Sequence, residues 1–108
     1  MKFASLKKKK EFEKALKTGK RIYTATLTMI FASAEEAKFA VCVGKKFGKS
    51  VRRNRIKRLL REAFRFHRER IQAPCHILLI PKPAQEYDYK SFQRDVGIAI
   101  EKGKRANA

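Results

Sequence analysis

The stretch from Gly44 to Arg65 constrains the fold of this chain more than any other. Read as a helix from about Val51 to Arg70, at roughly 100° per residue, it divides into two faces. Ile56, Leu59, Leu60, Ala63, Phe64, Phe66, His67 and Ile71 fall within an arc of about 160°, wide enough for the buried side of a helix lying on a sheet. Asn54, Lys57, Arg58, Arg61, Arg65 and Arg68 fill the opposite arc. A merely solvated stripe mixes signs at i, i+4 spacing, because unlike charges support a helix and like charges strain it. Here Glu62 and Glu69 stand only at one margin, so the repulsion asks for a polyanion to neutralise it.

The whole chain leans the same way. Its 28 Lys and Arg against 10 Asp and Glu leave a formal charge of +18 over 108 residues, far beyond what solubility needs. Such an excess repels itself and suits a nucleic acid or an anionic membrane as partner. No apolar run approaches the roughly 20 residues of a spanning helix. The basic start, Met1 to Lys10, has no apolar segment behind it, so no secretory signal is expected and the cytoplasm is the expected location. An apolar content of 44% is enough for one modest core, and residues 1–108 read as a single domain with a frayed tail from 103 to 108. Cys42 and Cys75 form no CxxC pair, and with His67 and His76 they match no zinc spacing, so no metal site is assigned to the protein.

In chain order, Leu6 to Thr18 reads as a short helix between an N-capping Ser5 and a C-terminal Gly19, with Phe12, Ala15 and Leu16 as a thin apolar stripe. From Ile22 to Ser33 the period changes to two, which predicts a strand with an apolar face and a face rich in threonine, including Thr24, Thr26 and Thr28. Residues 33–37 suit a hairpin loop, after which Lys38 to Val43 forms a second strand expected to pair with the first. Gly44 and Gly48, flanked by Lys45, Lys46 and Lys49, can turn the backbone into an anion-binding concavity at the helix entrance. His76 to Ile80 is a short, nearly continuous apolar run and predicts a strand buried on both faces, so strand, basic helix and strand suggest a βαβ crossover. A last helix begins near Ser91, with Phe92, Val96, Ala99 and Ile100 at helical spacing.

The ten carboxylates are scattered, and neither histidine has a neighbouring nucleophile in sequence, so no self-sufficient active site is legible. RNA recognition is better supplied. Guanidinium forks bind phosphates bidentately, which suits the helix to a folded RNA, while the threonine face beside Phe12 suits a single strand. Two readings from other classes stand beside this one: a structural ribosome-associated RNA-binding protein, and a conventional nuclease with an unseen metal site.

Val43 to Arg65, with Arg53-Asn54-Arg55 at its centre, resembles almost position for position the signature of the protein subunit of bacterial ribonuclease P. Glu11-Phe12, Gly19-Lys20-Arg21 and the apolar strand ending near Pro81 add to the resemblance, which covers most of the chain. It implies an α+β two-layer sandwich in which a small, mostly antiparallel sheet carries the basic helix on a left-handed βαβ crossover. The implied order is α-β-β-α-β-α with room for one extra short strand. It also implies a subunit that binds the catalytic ribonuclease P RNA and the 5′ leader of precursor tRNA. The catalytic groups and magnesium ions would belong to the RNA, and no catalytic residue or cofactor to the protein. By this resemblance Lys45, Lys46, Arg52, Arg53, Asn54, Arg55, Lys57, Arg58, Arg61, Arg65 and Arg68 meet the catalytic RNA, and Phe12, Leu16, Thr26, Thr28 and Ile30 meet the leader. Leu16 stands where relatives often carry a second aromatic, so van der Waals contact rather than stacking is expected there.

Overall fold

The structure, a computed structural model, describes residues 2–106, with side chains as far as Lys104. Its elements in chain order are β1 (Ala4–Ser5), α1 (Lys9–Thr18), β2 (Lys20–Tyr23), β3 (Leu27–Ser33), β4 (Lys38–Val41), α2 (Ser50–His67), β5 (Cys75–Pro81) and α3 (Tyr89–Ala106). Single 3₁₀ turns, Lys45–Phe47 and Arg68–Arg70, flank α2. The strands form one sheet in the order β1-β4-β5-β3-β2. β5 runs parallel to β4 and antiparallel to β3, while β1 joins β4 in parallel and β2 closes a hairpin with β3. The expected α-β-β-α-β-α order is present, with two short strands added.

β5 lies at the centre because it can be buried on both sides. Ile77, Leu78 and Leu79 are fully buried, with Ile77 and Leu79 facing α2 and α3 while Leu78 faces α1. This corrects the expected hairpin between Lys38–Val43 and the preceding strand. β5 inserts between β3 and β4, and the 33–37 segment is a crossing connection rather than a hairpin turn. β4 is only half-buried along its length, whereas β5 brings an apolar residue to each face at nearly every position.

The single strand expected over Ile22–Ser33 is two. Thr24 turns the chain by accepting the Leu27 N–H on Oγ1 at 3.3 Å and donating that hydroxyl to the Leu27 carbonyl at 2.7 Å. Alternation cannot reveal this, because the period-two pattern continues through the turn. α2 behaves as its arc predicts at Ile56, Leu60, Ala63 and Phe64, all buried, and Ile71 is buried beyond it. Phe66 is the exception: it is 63% exposed and meets only the His67 ring edge-on among the aromatic contacts. The tail expected to fray is helical through Ala106, and Gly103 is buried beside Ile22 and Met29; residues 107–108 lie outside the described part.

α2 and α3 pack together on one face of the sheet and α1 lies alone on the other. Gly97 makes room on α3 for the His67 side chain of α2, since a Cβ there would come within 2.9 Å of the His67 ring. His67 Nε2 donates to the Gln93 carbonyl at 2.7 Å, and Arg70 reaches Nδ1 at 3.2 Å. Burial holds its pKa below the ordinary imidazole value, against the hydrogen bond to Gln93, so it serves as a neutral packing histidine.

Candidate nucleic-acid interface

The outward side of α2 carries a row of cations with nothing of their own to bind. Arg55, Lys57, Arg58 and Arg61, together with Asn54, make no side-chain hydrogen bond or ion pair among the described residues, and all but the half-buried Lys57 are exposed. Asn54, Arg58, Arg61, Glu62 and Arg65 line a shallow groove of about 300 Å³ along the helix. Arg65 and Arg68 stand 3.8 Å from Glu62 and Glu69, a separation that an incoming phosphate can replace.

Two arginines of the predicted set are differently employed. Arg52 donates to the carbonyls of Phe47, Gln85 and Ala84 at 2.8 to 2.9 Å and lies over the Tyr87 ring, so it clips the start of α2 to the 84–87 loop. Arg53 donates to the Gly48 carbonyl and the Ser50 hydroxyl, with the rest of its guanidinium open. Gly48 has φ 113°, a left-handed conformation that favours glycine and aims the chain into α2. The expected amide concavity is partly closed, because the N–H groups of Phe47 and Gly48 are taken within the 3₁₀ turn by Gly44 and Lys45. Lys45 and Lys46 remain exposed beside it.

The second surface lies across the sheet. Phe12 and Leu16 on α1 are half-buried over Ile30 and Leu78, with Ala40, Cys42 and Ile80 alongside. Gly19 lets α1 sit this close, since a Cβ there would lie 2.5 Å from the Ala15 carbonyl and 2.6 Å from Ile30 Cγ2. Thr28 belongs to the same face but is 9% exposed. Thr26 leaves it: its N–H and hydroxyl both donate to Asp95 on α3, at 2.9 and 2.5 Å. The turn at Thr24 that splits the strand also brings in a residue the sequence reading missed. Tyr23 pairs with Thr28, so it shares the α1 face, where its ring is 60% exposed. Continuous alternation had put it on the opposite side.

Asp95 itself was not anticipated. It is 1% exposed, and burial raises its pKa, but the Arg94 guanidinium at 3.0 Å and the two Thr26 donors more than offset that and hold it below the ordinary carboxylate value. Beside α1, Glu11 and Lys38 pair at 2.9 Å; the shared hydrogen bond lowers the carboxyl and raises the amine. Burial pushes both Cys42 and Cys75 up to about 11, leaving them protonated thiols. Among the described residues no three metal-capable side chains converge, and no helix is long and apolar enough to cross a membrane.

A family model described as ribonuclease P matches residues 1–104. The ribonuclease P protein component of Dictyoglomus thermophilum is 34% identical over 106 residues, covering 95% of this chain and 88% of that protein. The Geotalea uraniireducens protein of the same name is 30% identical over 103 residues, covering 94% and 91%. Among solved structures, the Staphylococcus aureus RNase P protein superposes with a TM-score of 0.81 at 26% identity, over 95% of this chain and 97% of that one.

Proposed function

The chain belongs to the ribonuclease P protein family, and from that premise we propose that its two faces divide the work of recognising two RNAs. It is the protein component of an endoribonuclease assembly with an RNA partner, acting in the 5′ processing of tRNA. The outward face of α2 grips the catalytic ribonuclease P RNA through Arg53, Asn54, Arg55, Lys57, Arg58, Arg61, Arg65 and Arg68, with Lys45 and Lys46 at its entrance. The α1 face, with Phe12, Leu16, Tyr23, Thr28 and Ile30, receives the single-stranded 5′ leader of precursor tRNA. Arg52 and Thr26 drop out of these sets because the fold already uses their polar groups.

The observation that carries this reading is the row Arg55, Lys57, Arg58 and Arg61, without side-chain partners among the described residues, on a helix separated by the whole sheet from the aromatic face on α1. A guanidinium row with no internal partner gains its full hydrogen bonding only from an external anion. Cutting chemistry then rests with the RNA, which would hold the magnesium ions as the resemblance implies; the protein positions and neutralises. The relatives and the solved structure described above are ribonuclease P proteins, and none supports a ribosome-associated role.

Reconstitution tests the proposal. Added to a ribonuclease P RNA at low magnesium, the chain raises precursor tRNA cleavage, and alone it cleaves nothing. Phe12→Ala weakens holoenzyme binding of precursor tRNA several-fold more than of mature tRNA, in line with roughly 1–3 kcal/mol for a lost base stack. Equal losses on both substrates would remove the leader from the α1 face, and cleavage by the chain alone would return catalysis to the protein.

A further inference from the structure

Between the C-terminal half of α2 and the β1 edge of the sheet lies a groove of about 390 Å³, within the roughly 300–1,000 Å³ typical of ligand sites. Phe3, Phe39 and Phe64 contribute to its walls, Phe39 stacked on Phe64 at 4.0 Å and Phe3 edge-on at 5.0 Å. Arg61, Arg65 and Arg68 line it from the helix and Lys7 from the segment after β1, and no carboxylate is among its lining residues. Ser5 adds donors and an acceptor: the N–H groups of Ala4 and Leu6 donate to the carbonyls of Ala37, just before β4, and of Phe39, so on this edge strand the N–H and carbonyl of Ser5 point away from the sheet.

Aromatic walls, a rim of guanidinium groups and a free backbone edge match one chemistry, a nucleotide whose base is out of its stack. We propose that this groove captures an unpaired nucleotide of the RNA partner, the base against the phenylalanine walls and its phosphate on Arg61, Arg65 and Arg68. A paired A-form segment does not fit, because its bases are stacked inside the helix and offer no face to an aromatic wall. The site rests on the reading of α2 as the RNA-binding helix and adds to it a contact to one base, where the rest of the helix meets only phosphates. It also explains why the basic stripe continues past Arg58 toward Arg68, where the helix turns from open solvent to the sheet edge.

Ser5 is exposed, lines the groove from the same sheet face as its register partner Phe39 and carries no charge, so Ser5→Trp fills the groove without removing a charged phosphate contact. With the chain bound to ribonuclease P RNA, this variant lowers affinity about tenfold, within what stacking one base contributes, while the salt dependence of binding stays that of the unmodified chain. Unchanged affinity in a folded variant overturns the proposal. Should Ser5→Trp fail to fold, the unmodified complex decides. Ribonuclease P RNA carrying 4-thiouridine cross-links on irradiation to peptides spanning residues 3–7 or 39–41 from an unpaired position, and cross-links confined to α2 overturn the groove. Binding of 5′-AMP matched by inorganic phosphate alone, read by amide chemical shifts at Phe39 and Val41, would also overturn it. Arg55→Ala with Arg58→Ala, outside the groove, tests the helix separately: loss there with none at Ser5→Trp keeps the helix reading and discards the nucleotide site.

Discussion

Replacing Arg55 and Arg58 together by alanine separates binding from folding with little ambiguity. Both side chains are exposed and neither has a hydrogen bond or ion pair among the described residues, so their removal takes nothing from the folded chain. Stability should therefore stay within about 0.5 kcal/mol of the unmodified protein. If each guanidinium neutralises one phosphate, the slope of log affinity against log salt becomes shallower by about 1.4–1.8, at roughly 0.7–0.9 per phosphate. Between about 50 and 200 mM salt that difference narrows the affinity gap between the two proteins by about tenfold. Titrating labelled ribonuclease P RNA by fluorescence anisotropy across a salt series, at fixed magnesium, measures it. Arg52→Ala is the comparison. It loses three hydrogen bonds to backbone carbonyls and the Tyr87 stack, so its melting temperature falls while its slope is unchanged. An unaltered slope in the double variant, or an equal change in Arg52→Ala, refutes the assignment of this face to phosphates.

Two further outcomes follow from the buried contacts. Asp95→Asn removes the charge that three donors converge on, at a cost of about 3 kcal/mol, which lowers the melting temperature by roughly 15 °C by calorimetry. The folded carboxyl lies below its unfolded value of about 3.9, so the native state binds fewer protons. Its contribution is complete above that value and is lost as pH falls through the lower folded one, and the stability gap between the unmodified chain and this variant should shrink only in strong acid. Gly19→Ala sets a Cβ against the Ala15 carbonyl in the last turn of α1 and against Ile30 on β3, so the end of α1 must shift off the sheet, costing about 1–3 kcal/mol. Because α1 carries Phe12, the same variant should bind precursor tRNA less well relative to mature tRNA, and an unchanged ratio would show that α1 placement does not shape the leader face.

The parts of this molecule legible in its residues are those that depend on one element at a time. The two sides of α2 were readable because a 3.6-residue period sorts side chains by face, and Ile56, Leu60, Ala63 and Phe64 are buried as that period requires. β5 was readable because the short, nearly continuous apolar run from His76 to Ile80 suits a strand covered on both sides. The family itself lay in a contiguous motif around Arg53-Asn54-Arg55.

Tertiary structure alone decided what depends on neighbours distant in sequence. Nothing local says that β5 will separate β3 from β4, because burial on two faces sets how central a strand is and not which strands flank it. A turn held by Thr24 moved Tyr23 to the α1 face, and a carboxylate 69 positions away took Thr26 from it. Arg52 and Arg58 share one helix and one charge, yet carbonyls of the 84–87 loop occupy the first and leave the second open. Periodicity assigns a residue to a side of its own helix or strand; whether it is then free to meet an RNA is settled by long-range contacts, whose partners no local pattern names.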